Sequence, residues 1–172
     1  MTNESPTDIL AIIIASLNKI MSRFNTSWIE FFQNQKFTHA VTIKPNYKQS
    51  LSLDRLHHLF AQVYIRTQRR ALGPRFNSPA NRAMQYMAFA IAEGLPHSGH
   101  LHAAFKVPNA RRKSFEALFD ISAVEHKPLS ILLPGGTWCV EPIDLSEGWY
   151  NYSFKQIWKA EHTDRIQMFP MS

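Results

Sequence analysis

The sequence predicts an α+β fold in which adjacent antiparallel strands carry helices on one side. Three observations predict it. Stretches with apolar residues at every second position alternate with stretches at helical spacing, in the order helix, β, α, β, β, α, β, β, α. The turn-rich Gly94-Leu95-Pro96-His97-Ser98-Gly99 joins two consecutive strand patterns, which makes them an antiparallel hairpin. The chain has 172 residues, 45% hydrophobic and 19% charged, which suits a folded domain with a sizeable core.

The elements follow in order. Ser5-Pro6-Thr7-Asp8 reads as a helix start, with a capping serine, a proline at the first helical position and an acid near the positive end of the helix dipole. A helix over about 6–24 and a short second one over about 28–32 make residues 1–36 an N-terminal helical extension. Residues 37–172 form the main domain. Phe37 to Lys44 reads as its first strand, with Phe37, Val41 and Ile43 on one face and Thr38, Thr42 and Lys44 on the other. His39 falls on the apolar parity and reads as a core or edge histidine, not a ligand. Leu51 to about Arg70 has helical spacing (Leu53, Leu56, Leu59, Phe60, Val63), with Ser52 as cap and Asp54 in the first turn. His57 and His58 are adjacent on this helix and diverge. Met84 to Ala92 lacks clean alternation and reads as a strand buried on both faces. Ala110 to Glu125 reads as a helix carrying Phe115, Leu118, Phe119 and Val124. Leu129 to Leu133 and Thr137 to Ile143 read as two short strands around Pro134-Gly135-Gly136.

The strand after the hairpin is the most informative stretch. Leu101, Ala103, Phe105 and Val107 share one parity, and His100, His102, Ala104 and Lys106 share the other, the pattern of a half-buried strand. His100 and His102 therefore leave one face side by side. Two neutral imidazoles so held can share a divalent metal; equally, they can be two surface histidines on an open sheet. Pairing across the hairpin can bring Glu93 beside them, although parity alone groups Glu93 with Phe89 and Ile91.

Net charge is +6, which favours an anionic partner such as nucleic acid. Arg66, Arg69, Arg70, Arg75 and Arg82 surround a turn-rich segment holding Phe76, which suits phosphate contacts and a base to stack. A solvated basic helix end explains the same residues. Arg111, Arg112 and Lys113 form a second basic group. Cys139 is the only cysteine, so no internal disulfide forms and a reducing, cytoplasmic interior is the simpler compartment. The longest aliphatic run, Ile9 to Ala15, is too short to span a bilayer and follows acidic residues, so neither a membrane span nor a signal peptide is expected.

A last helix starts at Ser146. Tyr150, Phe154, Ile157 and Trp158 form its apolar stripe, while Tyr152, Lys155 and Lys159 lie opposite. Packing accounts for Tyr150 but not for Tyr152. A tyrosine with a lysine three residues on suits a phenolate nucleophile, since a free phenol has a pKa near 10 and needs a nearby cation. An exposed tyrosine on a wet face fits the helix alone as well.

Taken in order, Phe37-Thr38-His39-Ala40-Val41-Thr42-Ile43-Lys44-Pro45, Glu93, His100-Leu101-His102 and Tyr152-Ser153-Phe154-Lys155 resemble the HUH endonucleases, specifically rolling-circle replication initiators. The likeness covers about 37–160. It implies an RRM-like, five-stranded antiparallel sheet with helices packed on one face. It implies Mg²⁺ or Mn²⁺ held by His100 and His102, with Glu93 as third ligand and Glu141 as the second choice. It implies Tyr152 as nucleophile, Lys155 as its partner, and single-stranded DNA gripped by the basic groups. The 36 N-terminal residues have no counterpart in that pattern, and Tyr150 and Tyr152 are not spaced as in two-tyrosine relatives. No Gly-x-x-x-x-Gly-Lys-Ser/Thr phosphate loop occurs, so unwinding is expected from a separate helicase. A relaxase or transposase of the same nuclease class fits these residues too. From a different class, so does a non-catalytic single-strand-binding module on an RRM-like sheet.

Overall fold

A computed structural model of the chain describes residues 34–46, 51–120, 132–143 and 163–170, together with Ser27, Glu30, Phe31 and Leu129. The chain divides into two compact units, Met1–Gln35 and Lys36–Ser172. In the first, the helix expected over 6–24 lies outside the described residues, and Ser27, Glu30, Phe31, Asn34 and Gln35 are helical.

The second unit is built on β1 (His39–Lys44), β2 (Met87–Glu93), β3 (His100–Lys106), β4 (Thr137–Pro142) and β5 (Ile166–Phe169). They form one five-stranded sheet in the order β4-β1-β3-β2-β5, and every neighbouring pair is antiparallel. Helix α1 (Leu53–Leu72) covers one face. Ser52 caps it as expected, its Oγ accepting the Arg55 N–H at 3.2 Å. The buried Leu56, Leu59, Phe60, Val63, Tyr64 and Thr67 recur at intervals of three and four, which places them on one stripe. Gly73 ends the helix at φ 81, and its N–H reaches the Arg69 carbonyl. That positive φ is what favours glycine there.

The stripe meets Val41 and Ile43 of β1, Ala88, Ala90 and Ala92 of β2, and Leu101, Ala103 and Phe105 of β3. A buried amide fixes where the helix lies along the sheet. Gln68 Nε2 donates to the Tyr86 carbonyl, and its Oε1 accepts the Tyr86 N–H, both at 3.1 Å. Phe105 is fully buried at the centre, with its ring centroid 6.0 Å from Phe60 and 5.0 Å from Phe115. Phe105→Ala is expected to lower stability by about 3–5 kcal/mol, read from urea denaturation.

Several expectations need correction. Where a strand is expected over Leu129 to Leu133, none of the described residues is in one: Leu129 is helical, Leu132 and Leu133 lie in a turn, and the Leu132 N–H bonds to the Leu129 carbonyl. Leu129 and Leu133 still enter the core. The fifth strand is instead β5, near the end of the chain. Strand β2 starts at Met87, because Pro79–Met84 is a 3-10 helix. The helix expected from Ala110 is α2 (Arg112–Glu116), preceded by a 3-10 turn over Asn109–Arg111; Val124 is outside the described residues. Phe37 does not join Val41 and Ile43. It precedes β1 and its ring meets Phe89, on the opposite face, at 4.9 Å. Strand β3 is the central strand and is buried on both faces, Ala104 as fully as Ala103.

His39 behaves as its parity predicts. It is buried, its Nδ1 lies 2.8 Å from Thr38 Oγ1, and its Nε2 lies 3.0 Å from Glu116 Oε1. No described helix is long and apolar enough to cross a membrane.

Candidate metal centre

The hairpin sets this site's geometry. Glu93, the last residue of β2, is the cross-strand partner of His100, the first of β3. His102 pairs with Ile91, one step along the same face and diagonal to Glu93. Alternation puts Phe89, Ile91 and Glu93 on the face that carries His100 and His102. Both faces of β2 are buried, so Glu93 shares its parity with Phe89 and Ile91 and needs no bulge to reach the histidines.

Glu93 Oε2 lies 3.5 Å from His100 Nε2 and 3.6 Å from His102 Nε2, and one ligand atom from each residue fits within a 4.8 Å span. Bonds of about 2.1 Å meeting at one cation put donor atoms roughly 3.0–3.4 Å apart, so a small inward shift closes the set. The far ring nitrogens are held in place. His100 Nδ1 donates to the Ser98 carbonyl at 2.9 Å, which turns Nε2 toward Glu93. His102 Nδ1 sits 3.3 Å from Thr42 Oγ1 of β1. Metal-binding imidazoles commonly have such outer partners.

Burial makes the cluster costly as it stands. Glu93 is 2% exposed and His102 6%. Glu93 Oε1 is buried with no hydrogen-bond partner. A buried carboxylate lacking a partner is unfavourable by a few kcal/mol, and a cation removes that cost. The Glu93 carboxylate, at the outer limit of hydrogen-bond reach, holds the His100 pKa above the usual histidine range. Desolvation opposes the rise, the Ser98 carbonyl adds to it, and Lys44 at the end of β1 opposes it. The cluster thus attracts positive charge at His100. Glu93, His100 and His102 could hold a metal ion, and the nitrogen and oxygen donors fit a divalent cation of the Mg²⁺, Mn²⁺ or Zn²⁺ kind. Among the described residues the group offers three ligands. His100, a quarter exposed, marks the open side.

No family model, curated protein or solved structure matches this chain.

The other residues singled out in the sequence fall elsewhere. Glu141 is exposed on edge strand β4, where it accepts from Cys139 Sγ at 3.4 Å, and it is not in the cluster. Tyr152 and Lys155 lie outside the described residues. The basic groups gather at the opposite end of the sheet. Arg66, Arg69 and Arg70 occupy the last turns of α1, and Arg75 and Arg82 precede β2. Arg112 and Lys113 are exposed on α2, just after β3. Arg111 has a structural task, its Nη1 donating to the Ala71 carbonyl at 2.8 Å near the end of α1. Phe76 is half-buried, and its carbonyl accepts from Gln85 Nε2. Seven strand residues, about 20 Å, separate the two ends of β2. Thr42, Ser98 and Lys44 join the site without having been singled out as site residues. Thr42 and Lys44 were legible only as belonging to the polar parity of β1.

Proposed function

We propose that this chain is an HUH-type endonuclease that nicks and rejoins single-stranded DNA to initiate rolling-circle replication. The observation that carries the reading is the convergence of the His100 and His102 Nε2 atoms on Glu93 Oε2 in a buried cluster whose second carboxylate oxygen, Oε1, has no hydrogen bond among the described residues. The +6 net charge and the order of the remaining motifs support it. Glu93, His100 and His102 would hold Mg²⁺ or Mn²⁺, which when bound polarises a phosphate and offsets charge on a leaving oxygen.

The chain's own groups supply the rest. Glu93 contributes the negative charge that draws the cation, and Ser98 and Thr42 fix the imidazoles. The Tyr152 hydroxyl attacks phosphorus. A bond forms from its oxygen to phosphorus, and the bond from phosphorus to the 3′ oxygen breaks. The phenolic proton is balanced by protonation of the departing 3′-hydroxyl, and the 5′ phosphate stays on the tyrosine. Lys155 steadies the phosphate charge. Because one phosphodiester is exchanged for another, the same groups can rejoin ends.

The test is a covalent adduct. Wild-type protein incubated with single-stranded origin DNA and Mn²⁺ is expected to yield a protein–DNA species that survives denaturing electrophoresis and disappears with chelator. Binding of that DNA with no adduct would leave a single-strand-binding module instead.

A further inference from the structure

We propose that a groove lined by Lys36, Arg82 and Lys106 anchors the sugar-phosphate backbone of single-stranded nucleic acid at the end of the sheet remote from the candidate metal centre. The inference rests on the single-strand reading above, and of the arginine group singled out in the sequence it keeps only Arg82, joining it to Lys36 and Lys106. The groove has a volume of about 460 Å³ and includes Met84 and Asn109. Among its described lining residues three are cationic and none is acidic. None of the three cations makes an ion pair among the described residues, so their charge is not neutralised locally. Three unpaired cations around one concavity repel each other and favour a polyanion over a single small anion. Met84, 47% exposed, offers an apolar surface to a sugar or base beside the phosphates.

Its place in the fold adds to this. Lys106 and its cross-strand partner Met87 share the parity, and therefore the face, of His100, His102 and Glu93. The seven residues of β3 from His100 to Lys106 span about 20 Å, so one strand of several nucleotides can engage both sites. The rows between them, with Phe89, Ile91 and Ala104, are fully buried, so such a strand passes over the sheet without lying on it.

The test is binding of a fluorescent oligo-dT to the full chain without divalent metal, by anisotropy between 50 and 200 mM salt. Each phosphate neutralised on a single strand contributes roughly 0.7 to the salt slope. The variant carrying Lys36→Gln, Arg82→Gln and Lys106→Gln is expected to bind at least tenfold more weakly at 50 mM salt, with a slope flatter by about 2. A charge-matched variant with Lys19→Gln, Arg55→Gln and Lys127→Gln, cations outside every basic group named above, keeps the wild-type slope. Equal losses in both variants, or wild-type binding by the groove variant, overturn the proposal. The outcome is separable from that of the nickase reading. An adduct from wild type together with an unaffected groove variant removes the groove alone, and a groove-dependent slope without any adduct removes the nickase alone.

Discussion

Glu93→Gln is expected to cut metal-induced stabilisation by at least about half while leaving the metal-free protein, above the raised His100 pKa, at least as stable as wild type. In wild type, Mn²⁺ at a hundredfold excess over its dissociation constant adds about 2.7 kcal/mol, a rise in Tm of roughly 5–10 °C for a chain of this size. Loss of a partner in the outer shell of a metal costs about 10–100-fold in affinity, so loss of a ligand itself should cost at least as much. At the same concentration a 10–100-fold loss leaves about 1.4 to 0.4 kcal/mol of the 2.7, so the variant's shift should be no more than about half that of wild type. The metal-free expectation follows from burial. Glu93 brings a desolvated carboxylate whose Oε1 has no hydrogen bond, so a neutral amide of the same shape removes a cost. If Glu93 instead served as a structural partner of the histidines, Glu93→Gln would unfold at lower temperature with or without Mn²⁺ even above the raised His100 pKa. Differential scanning fluorimetry with and without chelator separates the two. The dependence on pH has a definite sign. The His100 pKa is raised in the folded, metal-free chain. Its pairing therefore contributes stability fully below about pH 6.5 and loses it as pH rises through the raised value. Proton and cation compete for the same nitrogen, so the Mn²⁺-induced shift should grow as pH rises through that window.

The Glu93, His100 and His102 cluster was legible in the sequence because a short hairpin leaves little freedom. Gly94 to Gly99 returns the chain on itself, and strand alternation then places His100 and His102 on one face. The parity of Glu93 looked awkward for one reason: alternation tells which residues share a face, not whether that face is wet. With both faces of β2 buried, an acid beside Phe89 and Ile91 also lies beside the histidines. The same gap made β3 read as half-buried. The apolar run at Leu129 to Leu133 carried no period, and a short run without one fits a helical turn as well as a strand. Strand β5 is four residues long and takes its place from partners such as Phe60 and Tyr64, whose rings lie 5.7 and 4.5 Å from Phe169. Nothing local announces that. The arginines were visible as a cluster in sequence. Which end of the sheet they occupy depends on where α1 finishes, and the Gln68–Tyr86 amide pair, a tertiary contact, fixes that.

Tyr152→Phe is expected to remove the covalent adduct entirely, a loss of at least a thousandfold in cleavage, while DNA and Mn²⁺ binding stay within about twofold of wild type. A nucleophile has no partial substitute. The oxygen that bonds to phosphorus is the one atom deleted, and the barrier rises by more than about 4 kcal/mol for each thousandfold lost. Lys155→Met tests the partner in a graded way. It removes a charge near the phosphate without removing the attacking oxygen, so cleavage should fall by about 10–100-fold and recover partly as pH rises and more phenolate forms. Quench-flow cleavage of a labelled single strand, with the adduct counted on the same gel, reads both variants. An adduct that persists in Tyr152→Phe moves the attacking oxygen elsewhere, with Tyr150 the first residue to test. The two variants bear on different links of one chain of cause. In the proposed mechanism Glu93, His100 and His102 decide whether a cation is held, and Tyr152 decides whether holding it leads to a broken strand. A protein that loses Mn²⁺ stabilisation on Glu93→Gln yet never forms the adduct would be a metal-binding module on this sheet, with its histidines serving recognition instead of bond exchange.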